Sequence, residues 1–231
     1  MSKYLTVSKL RPALALSVVS LAVGCTTGPA TIDTSPGADV TFDGLYEVRN
    51  SSADVAWGVP GLDLSGYTKI KLEGAGIEYR PGGESGRTTA ARSRGGPYIV
   101  TEEQKTRFRN LVQEVFREEL AKSQRFSIVD EVGPDVLLIR GAILDVVSYV
   151  PQDAIGRVDI YLSTVAEATL VVELRDSITN AILARAIDRR AAENTAGFAV
   201  QSNRVTNAAE VRRVVRRWAQ SLRSGLEGFA N

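Results

Sequence analysis

Histidine is absent from this chain of 231 residues. That absence excludes Ser-His-Asp and Cys-His catalysis, histidine-ligated metal sites and a histidine pH switch. Cysteine occurs once, at Cys25, so no internal disulfide can form. Charge of neither sign dominates, with 28 Lys and Arg against 27 Asp and Glu. Such a balance argues against nucleic acid as a partner, which requires a basic surface. No serine lies in a Gly-x-Ser-x-Gly elbow, and the Gly-rich stretch after Tyr79 lacks the Gly-Lys-Ser/Thr ending of a phosphate loop. Gly74-Ala75-Gly76 would need its third glycine at position 79, where Tyr79 stands, so it reads as a bulge within a strand and not as a dinucleotide fingerprint. A serine-lysine hydrolase is the one enzyme class left open, and the expectation is a non-enzymatic protein without cofactor or metal.

What is present at the N-terminus is a leader pattern. Lys3, Lys9 and Arg11 precede an apolar and small-residue run, ALALSVVSLAV, over residues 13–23. The run falls short of the roughly 20 apolar residues that cross a bilayer, and it ends in small residues, as a signal peptide does. Leu21-Ala22-Val23-Gly24-Cys25 resembles the lipobox of bacterial lipoproteins, with Ala22 standing where leucine is commonest. The resemblance implies cleavage before Cys25 and a diacylglycerol on its sulfur, which also accounts for the only cysteine. The competing reading is an ordinary secreted protein with a free thiol. Lipid would hold the chain to a membrane without crossing it. Thr26 follows the cysteine where inner-membrane lipoproteins often carry Asp, so the expected location is the periplasmic face of the outer membrane. The expected organisation is a leader at 1–24, a lipidated cysteine with a flexible tether at 25–41, and one domain at 42–231. Loss of the leader leaves 25 basic against 27 acidic side chains.

Along the domain, residues 67–79 alternate as a strand, and a Gly- and Arg-rich loop follows to residue 98, with Arg80, Arg87, Arg92 and Arg94. Thr101-Glu102-Glu103-Gln104 has capping-box form and opens an apolar stripe from Phe108 to Leu120, predicting a helix to about Ser123. Residues 125–130 and 135–149 read as strands. Residues 165–175 and 181–190 read as a hairpin joined at Asp176-Ser177-Ile178-Thr179-Asn180. Asn207-Ala208-Ala209-Glu210 suggests the start of a closing amphipathic helix, with Val211, Val215, Trp218 and Leu222 on its apolar side. The pattern predicts a two-layer α/β (α+β) domain, a mostly antiparallel sheet of about 4–6 strands with two amphipathic helices on one face.

Pro60-Gly61-Leu62-Asp63-Leu64-Ser65-Gly66-Tyr67 and the hairpin VELRDSITNAILARAIDRR from Val172 to Arg190 resemble the bacterial lipoprotein family called domain of unknown function 3313, over most of residues 40–228. The resemblance implies an envelope location and this architecture, and it carries no catalytic assignment. Arg212, Arg213, Arg216, Arg217 and Arg223 on the polar side of the last helix form the candidate site for an anionic partner, through charge-assisted bonds. The bland alternative is a solvated face paired with acids elsewhere. The functional expectation is a membrane-anchored assembly component with envelope protein partners, including further copies of itself. The alternative is a lipid- or polysaccharide-binding module.

Overall fold

The computed structural model describes residues 28–81, 97–150, 161–193, 199–201 and 203–230. Cys25, the leader and Arg87, Arg92 and Arg94 lie outside the described residues. Ten strands are described: β1 (Thr31–Ile32), β2 (Tyr46–Arg49), β3 (Val55–Gly58), β4 (Lys69–Tyr79), β5 (Ser127–Ile128), β6 (Val136–Ser148), β7 (Tyr161–Leu162), β8 (Thr164–Asp176), β9 (Ile182–Glu193) and β10 (Val200–Gln201). Helix α1 spans Glu102–Leu120 and α2 spans Arg204–Gly228. Eight strands form one sheet in the order β1-β2-β3-β9-β8-β6-β4-β5, and β7 pairs with β10 separately. The sheet is larger than the 4–6 strands expected. The extra strands, β1, β2 and β3, are pieces of two to four residues, too short to register a period of their own. Thr31–Ile32, within the stretch expected to be a tether, pairs with Arg49 and Val48 and extends the sheet edge.

Long strands form where β-branched and apolar residues alternate. In β8, Ala168, Leu170 and Val172 are buried while Thr169, Val171 and Glu173 between them face the other way. A register shift between Thr164 and Ala166 turns Val165 inward, so that Val165 and not Ala166 is the fully buried residue there. The β8–β9 hairpin closes as its turn residues predict. Asp176 Oδ1 accepts from the amides of Ile178 and Thr179 at 3.1 and 2.7 Å, and Asn180 takes a φ of 59°. Neighbouring strands are antiparallel except around β4, which runs parallel to both β5 and β6. Parallel neighbours require a crossover, and α1 lies in the connection between β4 and β6.

Helix α1 starts with the capping box expected: the Gln104 amide donates to Thr101 Oγ1 at 3.2 Å, and the Thr101 amide donates to Gln104 Oε1 at 2.8 Å. Helix α2 starts earlier than Asn207. Its cap is Asn203, whose side chain accepts from the amides of Val205 and Thr206, each at 3.0 Å. Two Asn residues four apart offer the same local signal, and the added turn goes to the first. Both helices lie on one face of the sheet. Val115 and Leu120 of α1 and Val214, Val215, Trp218 and Leu226 of α2 form a single core with Ile70, Leu137, Ile139, Leu170 and Val172.

Candidate functional site

The five candidate arginines do not act as one cluster. Arg212 reaches across to α1, 2.8 Å from Glu114 and 3.3 Å from Glu118. Arg213 pairs with Glu210, and Arg223 lies 3.4 Å from Glu227 on the next turn. Arg223 also stands near Glu119, a buried α1 carboxylate that the Lys122 ammonium holds below the usual carboxylate range, aided by Gln220. Arg216 and Arg217 are exposed and have no partner among the described residues. Three of the five therefore tie the helices together or brace α2, which leaves two guanidinium groups open to an outside anion.

Arg80 Nε donates to Asp145 Oδ1 at 2.6 Å. Asp145 occupies a positive φ of 55° where β6 slips register, and Arg189 approaches it at 3.6 Å. The basic loop is thus pinned at its first residue to the sheet. Tyr79, just before it, has a buried hydroxyl with no partner among the described residues, and burial pushes its pKa up to about 12.

Two clefts open beneath the helices, and neither was anticipated from the sequence. The first, about 330 Å³, lies between α2 and strands β3, β9 and β8. Its floor is made of small residues held together by strand pairing: Ala56 stands opposite Ala186, with Ala184 two residues before it on the same face of β9. Leu174 and Val172 oppose Ala184 and Ala186 on β8, which places all of them on the helix-facing side. The roof is small as well, with Ser221 and Gly225 of α2, and a Cβ added at Gly225 would meet nothing within 4 Å. Small residues facing small residues leave space that a close-packed interior would fill. Trp218 is part of the lining. It is 2% exposed, and its indole N–H is a buried donor with no acceptor among the described residues.

The second cleft, about 450 Å³, lies under α1 over β4 and β6. Gly74 and Gly141, register partners, form its floor, and an added Cβ at either meets nothing within 4 Å. Gly76, with φ of 129°, takes up the bulge at Ala75. Arg109 and Arg117 stand at the mouth.

The opposite face of the sheet carries ordered charge. Glu73, Arg140, Glu173 and Arg185 are consecutive register partners across β4, β6, β8 and β9. Arg140 lies 3.5 Å from Glu73, Arg185 lies 3.1 Å from Glu173, and Asp43 and Arg175 extend the row at 2.7 Å each. Beside it runs an apolar row of Ala142, Val171, Ile187 and Val55, with Val55 37% exposed. Neither described helix covers this face. Among the described residues no group of His, Cys, Asp and Glu is arranged to hold a metal ion, and no helix is long and apolar enough to cross a membrane.

The fold and these surfaces define a two-layer α+β domain with a helix-covered face and an open one. The chain belongs to the family Protein of unknown function (DUF3313), which it matches over residues 38–222. No curated protein matches it. Among solved structures it is similar to a PelC dodecamer from Paraburkholderia phytofirmans, at 11% identity over 72% of this chain and 96% of that one, with a TM-score of 0.35. A DUF330 protein from Xanthomonas campestris matches at 12% identity over 71% of this chain and 86% of that one, with a TM-score of 0.39. A neuraminyllactose-binding hemagglutinin homolog from Helicobacter pylori matches at 10% identity over 73% and 93%, also with a TM-score of 0.39.

Proposed function

We propose that this chain is a lipid-anchored, non-enzymatic protein of the bacterial envelope whose domain recruits protein partners, including further copies of itself, at the periplasmic face of the outer membrane. The observation that carries the reading is the open sheet face. A cross-strand row of alternating carboxylates and guanidinium groups, next to an apolar row, offers fixed charge and buriable area on one rigid surface. Charge of both signs in set order selects a complementary partner and fixes its register more than it adds affinity. The apolar row supplies what burial contributes, about 25 cal/mol per Å² removed from water. Anchoring follows from the leader pattern and Cys25: lipid confines the domain to a surface and raises its effective concentration toward anything else held there.

The test is crosslinking in cells followed by mass spectrometry, with Cys25→Ala as the unanchored control and Arg140→Glu with Val171→Lys as the altered face. A partner lost in both variants supports recruitment through this surface. Crosslinks only to abundant neighbours, the same in all forms, would defeat the reading.

A further inference from the structure

We propose that the cleft between α2 and the β3-β9-β8 sheet is a binding site for the acyl chain of an uncharged membrane lipid, an acylglycerol being the chemical class. Three features of its interior point to that occupant. Its volume, about 330 Å³, is at the lower end of ligand sites, which span roughly 300–1,000 Å³. Its walls are mostly aliphatic, with Ala56, Ala184 and Ala186 below and Leu222 and Gly225 above, so an unbranched hydrocarbon chain meets apolar groups along this floor until Asp188, two residues beyond Ala186 on the same face of β9. Trp218 adds a buried indole N–H without an acceptor among the described residues. Buried indole donors ordinarily find partners, and an ester carbonyl entering with the chain is an acceptor of the right kind.

The rim sets the character of the head group. Asn50, Ser51, Ser52 and Ser224 line it and are uncharged. Asp188 is the charged side chain on this side. It is ion-paired with Arg190 Nε at 2.5 Å and accepts from the Asp54 amide at 3.2 Å, so this side offers no free cation to bind an anionic head. Arg185 is also part of the lining, but its guanidinium lies on the opposite face with Asp43 and Glu173. Neutral hydroxyls therefore suit this rim better than a carboxylate or phosphate.

The chain's entry also places the cleft near a membrane. Pro29 and Ala30 form part of its rim, and Cys25 precedes Pro29 by four residues, a reach of at most roughly 14 Å at full extension. This placement rests on the anchoring proposed above, whereas binding of a chain by the cleft does not. An unanchored protein separates the two.

The experiment uses the full chain carrying Cys25→Ala, in detergent-free buffer, with monoacylglycerols brominated on the acyl chain and kept below their aggregation threshold. Trp218 and Trp57 both line the cleft, Trp57 at the register position of Arg185, so short-range quenching should give a saturable loss of tryptophan emission. Affinity should rise roughly two- to fourfold per added methylene until the cleft is full. Gly225→Leu fills open space from the helix side, and Ala186→Leu fills it from the sheet side. Each should weaken binding by about tenfold or more while the thermal unfolding midpoint is kept. Absence of saturable quenching, no dependence on chain length, or unchanged binding in the folded variants overturns the site. Tighter binding of the matching fatty acid anion than of its glycerol ester overturns the neutral head group. Binding by this unanchored protein, with loss of envelope crosslinks in the same variant, would leave both proposals standing.

Discussion

Gly74 and Gly141 stand opposite each other in the parallel pairing of β4 with β6, and together they leave the space beneath α1. Neither has a positive φ, and neither added Cβ would touch anything within 4 Å. Gly141→Ala should therefore stabilise the protein by about 0.5–1 kcal/mol, because alanine loses less backbone freedom on folding. Two residues from Gly74, Gly76→Ala should do the opposite, since a φ of 129° is strained for any residue with a Cβ. Urea unfolding at constant m-value reads both signs, and a loss in Gly141→Ala would show that the cleft floor has no room.

Asp54 and Asp188 join β3 to β9 reciprocally. Asp188 Oδ1 accepts from the Asp54 amide at 3.2 Å, and Asp54 Oδ2 accepts from the Arg189 amide at 2.8 Å. Asp188 is buried and Asp54 exposed, so the two substitutions should not cost the same. Asp188→Ala leaves an amide and Arg190 without their acceptor and should cost about 2–3 kcal/mol, against about 1 kcal/mol for Asp54→Ala. Equal losses by chemical denaturation would contradict this assignment.

Local signals and long-range consequences divide what was legible. The Thr101 capping box, the Asp176 to Asn180 turn and the alternation through β4 and β8 are written within a few consecutive residues, and they folded as read. The start of α2 was misplaced because Asn203 and Asn207 present the same type of cap. Strands β2 and β3 have four residues each and exist because β9 offers an edge to pair with, which no window of sequence contains. The apolar cleft was invisible for the same reason. Ala56, Ala186 and Gly225 are ordinary small residues until pairing sets them face to face across a helix. The arginines of α2 were visible as a group, but the acids that Arg212 holds on α1 lie almost a hundred positions away, so that pairing was not.

Tyr67 and Tyr79 set the alkaline limit of stability. Burial pushes each pKa up to about 12, and Tyr67 is helped by donating to Asp176 at 2.9 Å. A phenol whose folded pKa lies above its unfolded value contributes stability in full below about pH 10, and that contribution is lost as pH rises from 10 to 12. Asp176 has the reverse sign. Its carboxylate is held below the usual range by the Thr179 amide and hydroxyl, so its contribution is present at neutral pH and is lost as pH falls through the acid range below 4. Ultraviolet titration should find Tyr67 and Tyr79 ionising late and together with unfolding. Tyr67→Phe should remove one late phenol and flatten the loss of stability above pH 10. Ordinary ionisation of all the tyrosines in the folded protein would refute the burial argument.

Arg212 and the pair Arg216 and Arg217 separate the structural from the interactive part of α2. Arg212 holds two α1 carboxylates, so Arg212→Gln should lower stability by a small, measurable amount, as loss of a partly exposed pairing does. Arg216 and Arg217 are exposed without partners among the described residues, so replacing both with glutamine should leave stability within about 0.5 kcal/mol. If an anionic surface or partner is met by this helix, the double variant should lose crosslinked partners and the salt sensitivity of their capture, while Arg212→Gln keeps both. Unchanged capture in the double variant would reduce these two arginines to solvated charge and leave the open sheet face to account for recruitment. A stability loss equal to that of Arg212→Gln would instead mean that they have an internal role.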